Sequence, residues 1–221
     1  MTTHTVTVPD LGPVPVTVTE RGEGRPFLLL HGGAGPQSVD GFADLLAASG
    51  RVLVPVHPGF GGTPRPEQLD SMAGLARVYA GLLDELGLDE VTVVGNSIGG
   101  WIAAEIALLA SPRVTGVVLV DAAGLQVDAD PAADFFALTM DQVADLSYFR
   151  PDDFRIDVAS LPGPAQAAMA ANRAALAVYG GPAMAKLRDE LSIRRKFEQG
   201  VPGPRASQPN VSLFIHKDGV L

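Results

Sequence analysis

The segment Gly95-Asn96-Ser97-Ile98-Gly99 places one hydroxyl between two residues that lack a Cβ. It stands where a β-branched run, Val91–Val94, gives way to a helical pattern from Ile98 to Ala110. Glycine tolerates close strand-to-helix contact and dihedrals that other residues resist. The pattern therefore predicts a tight strand–turn–helix, a nucleophile elbow, that pushes the Ser97 hydroxyl out of the fold with positive φ. The amide of Ile98, opening the helix, points at the same place with the positive end of the helix dipole. A second stretch, His31-Gly-Gly-Ala-Gly-Pro36, follows the apolar run Phe27–Leu30 and offers glycine amides that can approach a developing oxyanion closely. Phosphate binding is the rival reading, but the glycines lack the GxGxxG spacing and the following Lys-Ser/Thr that would cradle one. His31 reads as a residue bonded under its loop, and His57, in "HPGFGGT", as a loop-shaping residue.

These loops need a frame that delivers them to one edge, and the chain alternates accordingly. Thr5–Val8 and Val14–Thr19 form a leading hairpin around "PDLGP". Phe27–Leu30, Arg51–Val56, Val91–Val94 and Val114–Val120 are apolar strands. Helices are expected over Val39–Ser49, from an N-cap at Asp70 to Gly87, and over Ile98–Ala110. Strands without a polar face of their own imply a mostly parallel sheet covered by helices on both faces, hence α/β, doubly wound. Residues 1–123 form this core. From 124 to 190 alanine-rich helical stretches, "PAADFFAL" and "PAQAAMAANRAALAVYG", read as a helical cap over the strands' C-terminal edge, or as helices that thicken the core. Residues 191–221 form an atypical C-terminal segment in which Val211–Ile215 is the remaining strand candidate.

Composition narrows the function classes. The chain has 221 residues, 47% hydrophobic and 19% charged, which suits one large domain with an insertion. Its net charge of −9 disfavours nucleic acid and anionic membrane surfaces as partners. With no cysteine, thiol nucleophiles, disulfides and thiolate metal sites are excluded, and four scattered histidines without HExxH make zinc an unattractive reading; no cofactor is expected. The N-terminus lacks a signal-peptide pattern, and "WIAAEIALLA" is too short to span a bilayer, so a cytoplasmic protein is expected.

In this order of elements, "HGGAGP" and "GNSIGG" resemble the α/β-hydrolase superfamily over roughly residues 5 to 190, and look most like its esterases, lactonases and carbon–carbon bond hydrolases. The resemblance implies Ser97 as nucleophile of an acyl-enzyme route and the amides of Gly33 and Ile98 as oxyanion hole, while the alanine-rich, weakly polar cap suggests a small apolar acyl substrate. It also implies an acid after the next-to-last strand and a histidine after the last. Asp121, at a strand end, is one candidate acid; His216 and Asp218 in "VSLFIHKDGVL" are candidates for remnants of the histidine and acid loops, although in a strand they lie on one face, two residues apart. The chain departs from the pattern after Arg195: the last strand or strands and a Gly-His pair are missing, as in a truncated or altered C-terminus. Two consequences are expected, feeble turnover of activated esters and a homo-oligomer through an exposed sheet edge unless Val211–Ile215 fills it. The alternative function is a catalytically impaired derivative that binds a small apolar acyl ligand.

Overall fold

In the computed structural model, which describes residues 1–124, 133–181 and 210–214, Val14, Val16 and Val18 turn to one side of their strand and are at most 1% exposed. Alternation of this kind, one face apolar and the other half-open, is what a strand at the flank of a sheet requires. The strand is β2 (Gly12–Arg21), and it pairs antiparallel with β1 (Thr2–Val8) to make the leading hairpin. The inner strands are β3 (Pro26–Leu30), β4 (Arg51–Pro55), β5 (Val91–Asn96) and β6 (Val114–Val120). With β7 (Asn210–Phe214) they form a seven-stranded sheet of order β1-β2-β4-β3-β5-β6-β7, in which every pair from β4 to β7 is parallel.

The apolar residues of the inner strands divide between two faces. Leu28, Leu30, Leu53, Val91 and Val93 join one core with α2 (Met72–Glu85) and α3 (Ile98–Leu108). Leu29, Val52, Val54 and Val94 join a second with Ala43 of α1 (Asp40–Ala47). Each such side chain, taken wholly out of water, contributes about 1.5–3 kcal/mol, so neither face can be left uncovered. The expected α/β sheet with helices on both sides is therefore the observed one.

Several local expectations change. The N-cap of α2 is Ser71 rather than Asp70: its side chain accepts the Gly74 N–H at 3.2 Å, as a residue three before the bonded amide can. Val39 closes a 3₁₀ turn, Pro36–Val39, and the α-helix begins one residue later. The described part of "PAADFFAL", residues 133–138, forms turns and not a helix. The helix lies just beyond, α4 (Met140–Ser147), where Thr139 and Gln142 make a reciprocal capping box. The second alanine-rich stretch is the long helix α5 (Gly163–Gly180). Val211–Phe214 do fill the position beside β6, with Phe214 opposite Val120. Ile215, His216 and Asp218 lie outside the described residues.

Candidate active site

The strand order reverses at β3: the chain passes from β3 to β4 on one side and to β5 on the other. Loops leaving neighbouring parallel strands in opposite directions open a crevice at the strands' carboxyl ends. Leu30 pairs with Gly95, so the chain after β3 emerges beside Asn96 and Ser97.

Ser97 has φ 53° and ψ −118° at the N-cap of α3, a region that costs a non-glycine residue about 1–3 kcal/mol and persists only where surroundings over-determine it. The surroundings do so. A Cβ on Gly95 would collide with the Gly99 carbonyl, and one on Gly99 with the carbonyls of Leu30 and His31. The backbone of Ser97 is gripped by the turn after β6, its N–H donating to Val120 O (2.9 Å) and its carbonyl accepting from Ala123 N–H (3.0 Å). The side chain is half-buried, and the Ile98 amide behind it is among the helix N–H groups that have no intrahelical acceptor.

The glycine loop is set by a histidine beneath it. His57 N–H donates to His31 Nε2 (3.1 Å), so His31 carries its proton on Nδ1 and donates it to Gly32 O (2.8 Å). Gly35 N–H reaches the same carbonyl (3.1 Å) and closes a turn over residues 32–35. Because a peptide unit is planar and trans, fixing Gly32 C=O fixes the opposed Gly33 N–H as well. A Cβ on Gly32 would stand 3.3 Å from Ser97 Cβ, so this turn lies against the elbow.

His57 completes the platform. Its Nε2–H donates to His31 O (2.9 Å), and Tyr79 O–H donates to its Nδ1 (2.5 Å). Both rings are fully buried. Burial, opposed by the bond to Gly32, lowers His31 to about 4; burial and then the neighbouring His31 hold His57 well below its ordinary value. The structural reading of both residues stands, since neither has a ring nitrogen left to take a proton from Ser97. Asp121 adopts φ 44° in the turn that grips Ser97, and its carboxylate bonds neither ring.

Sequence reasoning missed what stands over this platform. Asn172, Ala175, Leu176 and Tyr179 form the buried stripe of α5, at spacing i, i+3, i+4, i+7. Asn172 bonds Ala34 O and Gly61 N–H, Tyr179 O–H donates to Pro58 O (2.8 Å), and Leu176 Cδ2 lies 3.3 Å from where a Gly33 Cβ would be. The stripe was readable, but its polar first member hides it among alanines. Among the described residues no group of acidic and histidine side chains could hold a metal, and no helix is long and apolar enough to cross a membrane.

A sequence profile of the family described as "alpha/beta hydrolase fold" matches residues 25–173, which takes in β3 through most of α5. The chain belongs to the α/β-hydrolase fold family. It is 33% identical over 130 residues to a 2-hydroxy-6-oxo-2,4-heptadienoate hydrolase of Pseudomonas putida, a match covering 56% of this chain and 46% of that protein. The chain thus spans about half the length of that curated relative. Among solved structures it superposes on a meta-cleavage product hydrolase of Pseudomonas fluorescens (TM-score 0.59, 22% identity, 95% of this chain and 78% of the other). It likewise superposes on an esterase of Exiguobacterium antarcticum (TM-score 0.60, 20% identity, 96% and 80%). At such identities the structural likeness establishes the shared fold.

Proposed function

We propose that this α/β-hydrolase-fold chain is a serine hydrolase in which Ser97 attacks a carbonyl carbon under helix α5. The observation that carries the reading is the strained Ser97 backbone, φ 53° between two glycines whose positions admit no Cβ, beside the turn that aims Gly33. Strain of that kind is kept where it serves a site.

In this reading Ser97 Oγ adds to the carbonyl, its proton leaves to a base, and the oxygen that takes up the electron pair is held by the Gly33 and Ile98 amides. Collapse expels the leaving group, which gains a proton, and leaves an acyl-enzyme; water attacks that ester and frees the acid and Ser97. His31 and His57 are occupied as described. His4 sits on β1, four strand spacings from β5, about 19 Å at ~4.8 Å each. The base is none of these three. His216 is the remaining histidine of the sequence.

The substrate class is a small, largely apolar carbonyl compound: an ester, a lactone or a carbon–carbon bond next to a ketone. The Pseudomonas putida relative named for a 2-hydroxy-6-oxo-dienoate favours the last, because the 6-oxo group would be the electrophile. Release of p-nitrophenolate from p-nitrophenyl acetate and loss of a 2-hydroxy-6-oxo-dienoate chromophore test it together. Ser97→Ala is expected to lower both by orders of magnitude, to at most the residual rate that oxyanion donors and binding supply; turnover at the wild-type rate in the mutant refutes the nucleophile. Binding of the dienoate by dialysis with no turnover of either compound would support instead a ligand-binding derivative.

A further inference from the structure

We propose that Asn172 is a positioning residue for the reaction of Ser97, clamping the Gly32–Gly35 turn from above so that the Gly33 amide keeps its aim at the carbonyl oxygen. The inference rests on the nucleophile reading above and adds to it a residue from the inserted helix.

Asn172 is 4% exposed, in the middle of an alanine-rich helix whose other buried residues at this face are Ala175, Leu176 and Tyr179. A buried amide is costly unless its donor and acceptor are both used, and here both are. Its Oδ1 accepts from Gly61 N–H at 2.9 Å, and its Nδ2 donates to Ala34 O at 3.2 Å. One side chain thus joins the loop after β3 to the loop after β4. Gly35, at φ 99°, fits the same contact: a Cβ there would lie 2.6 Å from Asn172 Nδ2.

Two groups therefore fix the turn from opposite sides. His31 holds its first carbonyl, Gly32 O, from below. Asn172 holds Ala34 O, the carbonyl next before Gly35, from above. The Gly33 N–H lies between these anchors on the chain. Ala34 C=O and Gly35 N–H share one peptide plane, so without the upper anchor that peptide can rotate and Gly35 N–H leaves Gly32 O. The 32–33 peptide that carries the Gly33 N–H is then held by His31 alone, and loses the alignment that an oxyanion donor needs before reaction. Tyr179 provides the contrast within the same helix, since it bonds Pro58 O and not the turn.

The test compares Asn172→Asp, Asn172→Leu and Tyr179→Phe by the rate at which a fluorophosphonate labels Ser97. Asn172→Asp keeps the acceptor for Gly61 and nearly the same volume but loses the donor to Ala34, so it decides the test by itself if Asn172→Leu does not fold. The clamp predicts that the limiting labelling rate falls about ten- to a hundredfold in both Asn172 variants. The reagent's half-saturation should stay within about twofold, and Tyr179→Phe should keep the wild-type rate. An Asn172 variant labelling at the wild-type rate, or Tyr179→Phe slowing equally, overturns the clamp while leaving Ser97 as nucleophile. A wild-type chain that takes no label overturns the nucleophile instead. Amide exchange then judges the turn alone: faster exchange at residues 32–35 in Asn172→Asp than in Tyr179→Phe supports the clamp, and equal exchange overturns it.

Discussion

Beneath the elbow, His31, His57, Phe60 and Tyr79 are wholly buried and the histidines' ring nitrogens are committed, while above it residues 133–181 leave Leu146, Phe149, Phe154 and Ile156 in water, Phe149 at 74% exposure. The lower region is held by backbone that admits no extra atom and by a closed chain of hydrogen bonds. The upper one reaches the loops of the crevice chiefly through one stripe of α5. Geometry for chemistry thus resides in the floor, and the insertion governs how one turn of that floor is presented. Substitutions should divide in the same way, with those below changing whether the chain folds and those above changing how Ser97 behaves.

The largest effect is expected at Gly99→Ala. Its Cβ would meet the carbonyl of Leu30, the last residue of β3, and that of His31, which the His57 ring holds in place. The cost should exceed about 4 kcal/mol and appear in urea unfolding as a chain largely unfolded without denaturant. A mutant within about 1 kcal/mol of wild type would show that the floor yields.

Acid should act on the floor next. Both rings bind protons less readily folded than unfolded, so below the unfolded value of 6.5 the unfolded chain takes up more protons than the native one. The His31 contribution is fully present above about pH 6.5 and is lost as pH falls towards about 4, a difference of about 3 kcal/mol at roughly 1.4 kcal/mol per unit. Urea midpoints measured across that range should fall steadily; a flat profile would mean that the rings are not buried neutral. Tyr79→Phe is smaller, leaving His57 Nδ1 without its donor at a cost of about 1–3 kcal/mol. Its thermal midpoint should drop while the overall circular dichroism spectrum is kept. At the other extreme Arg155, in the insertion, touches Asp141, Asp145 and Asp152 at the surface. Exposed pairs contribute little, so Arg155→Ala should leave the urea midpoint unchanged, and a clear loss would show the insertion to be as tightly built as the floor.

Legibility from sequence follows the same division. The sheet and the elbow were readable because β-branched runs and a serine between glycines are local patterns with one physical solution. Gly33 was reached by resemblance, and its orientation could not be, since it depends on His31, Gly35 and Asn172 meeting across the fold. "PAADFFAL" misled because alanine favours helix only where a cap starts one, and the cap is Thr139, with Gln142 three residues on. The reading of His31 and His57 as structural is upheld by their bonds, whereas Asp121 lies in the turn that grips the elbow and its carboxylate bonds neither of those two rings.

Ser97, as the displayed nucleophile of this floor, should be the residue that reacts with an electrophile. Peptide mapping of the chain after exposure to a fluorophosphonate tests it most directly. The account predicts a single phosphonyl adduct on Ser97 that disappears in Ser97→Ala. An adduct on another residue, or one that persists in the mutant, contradicts it.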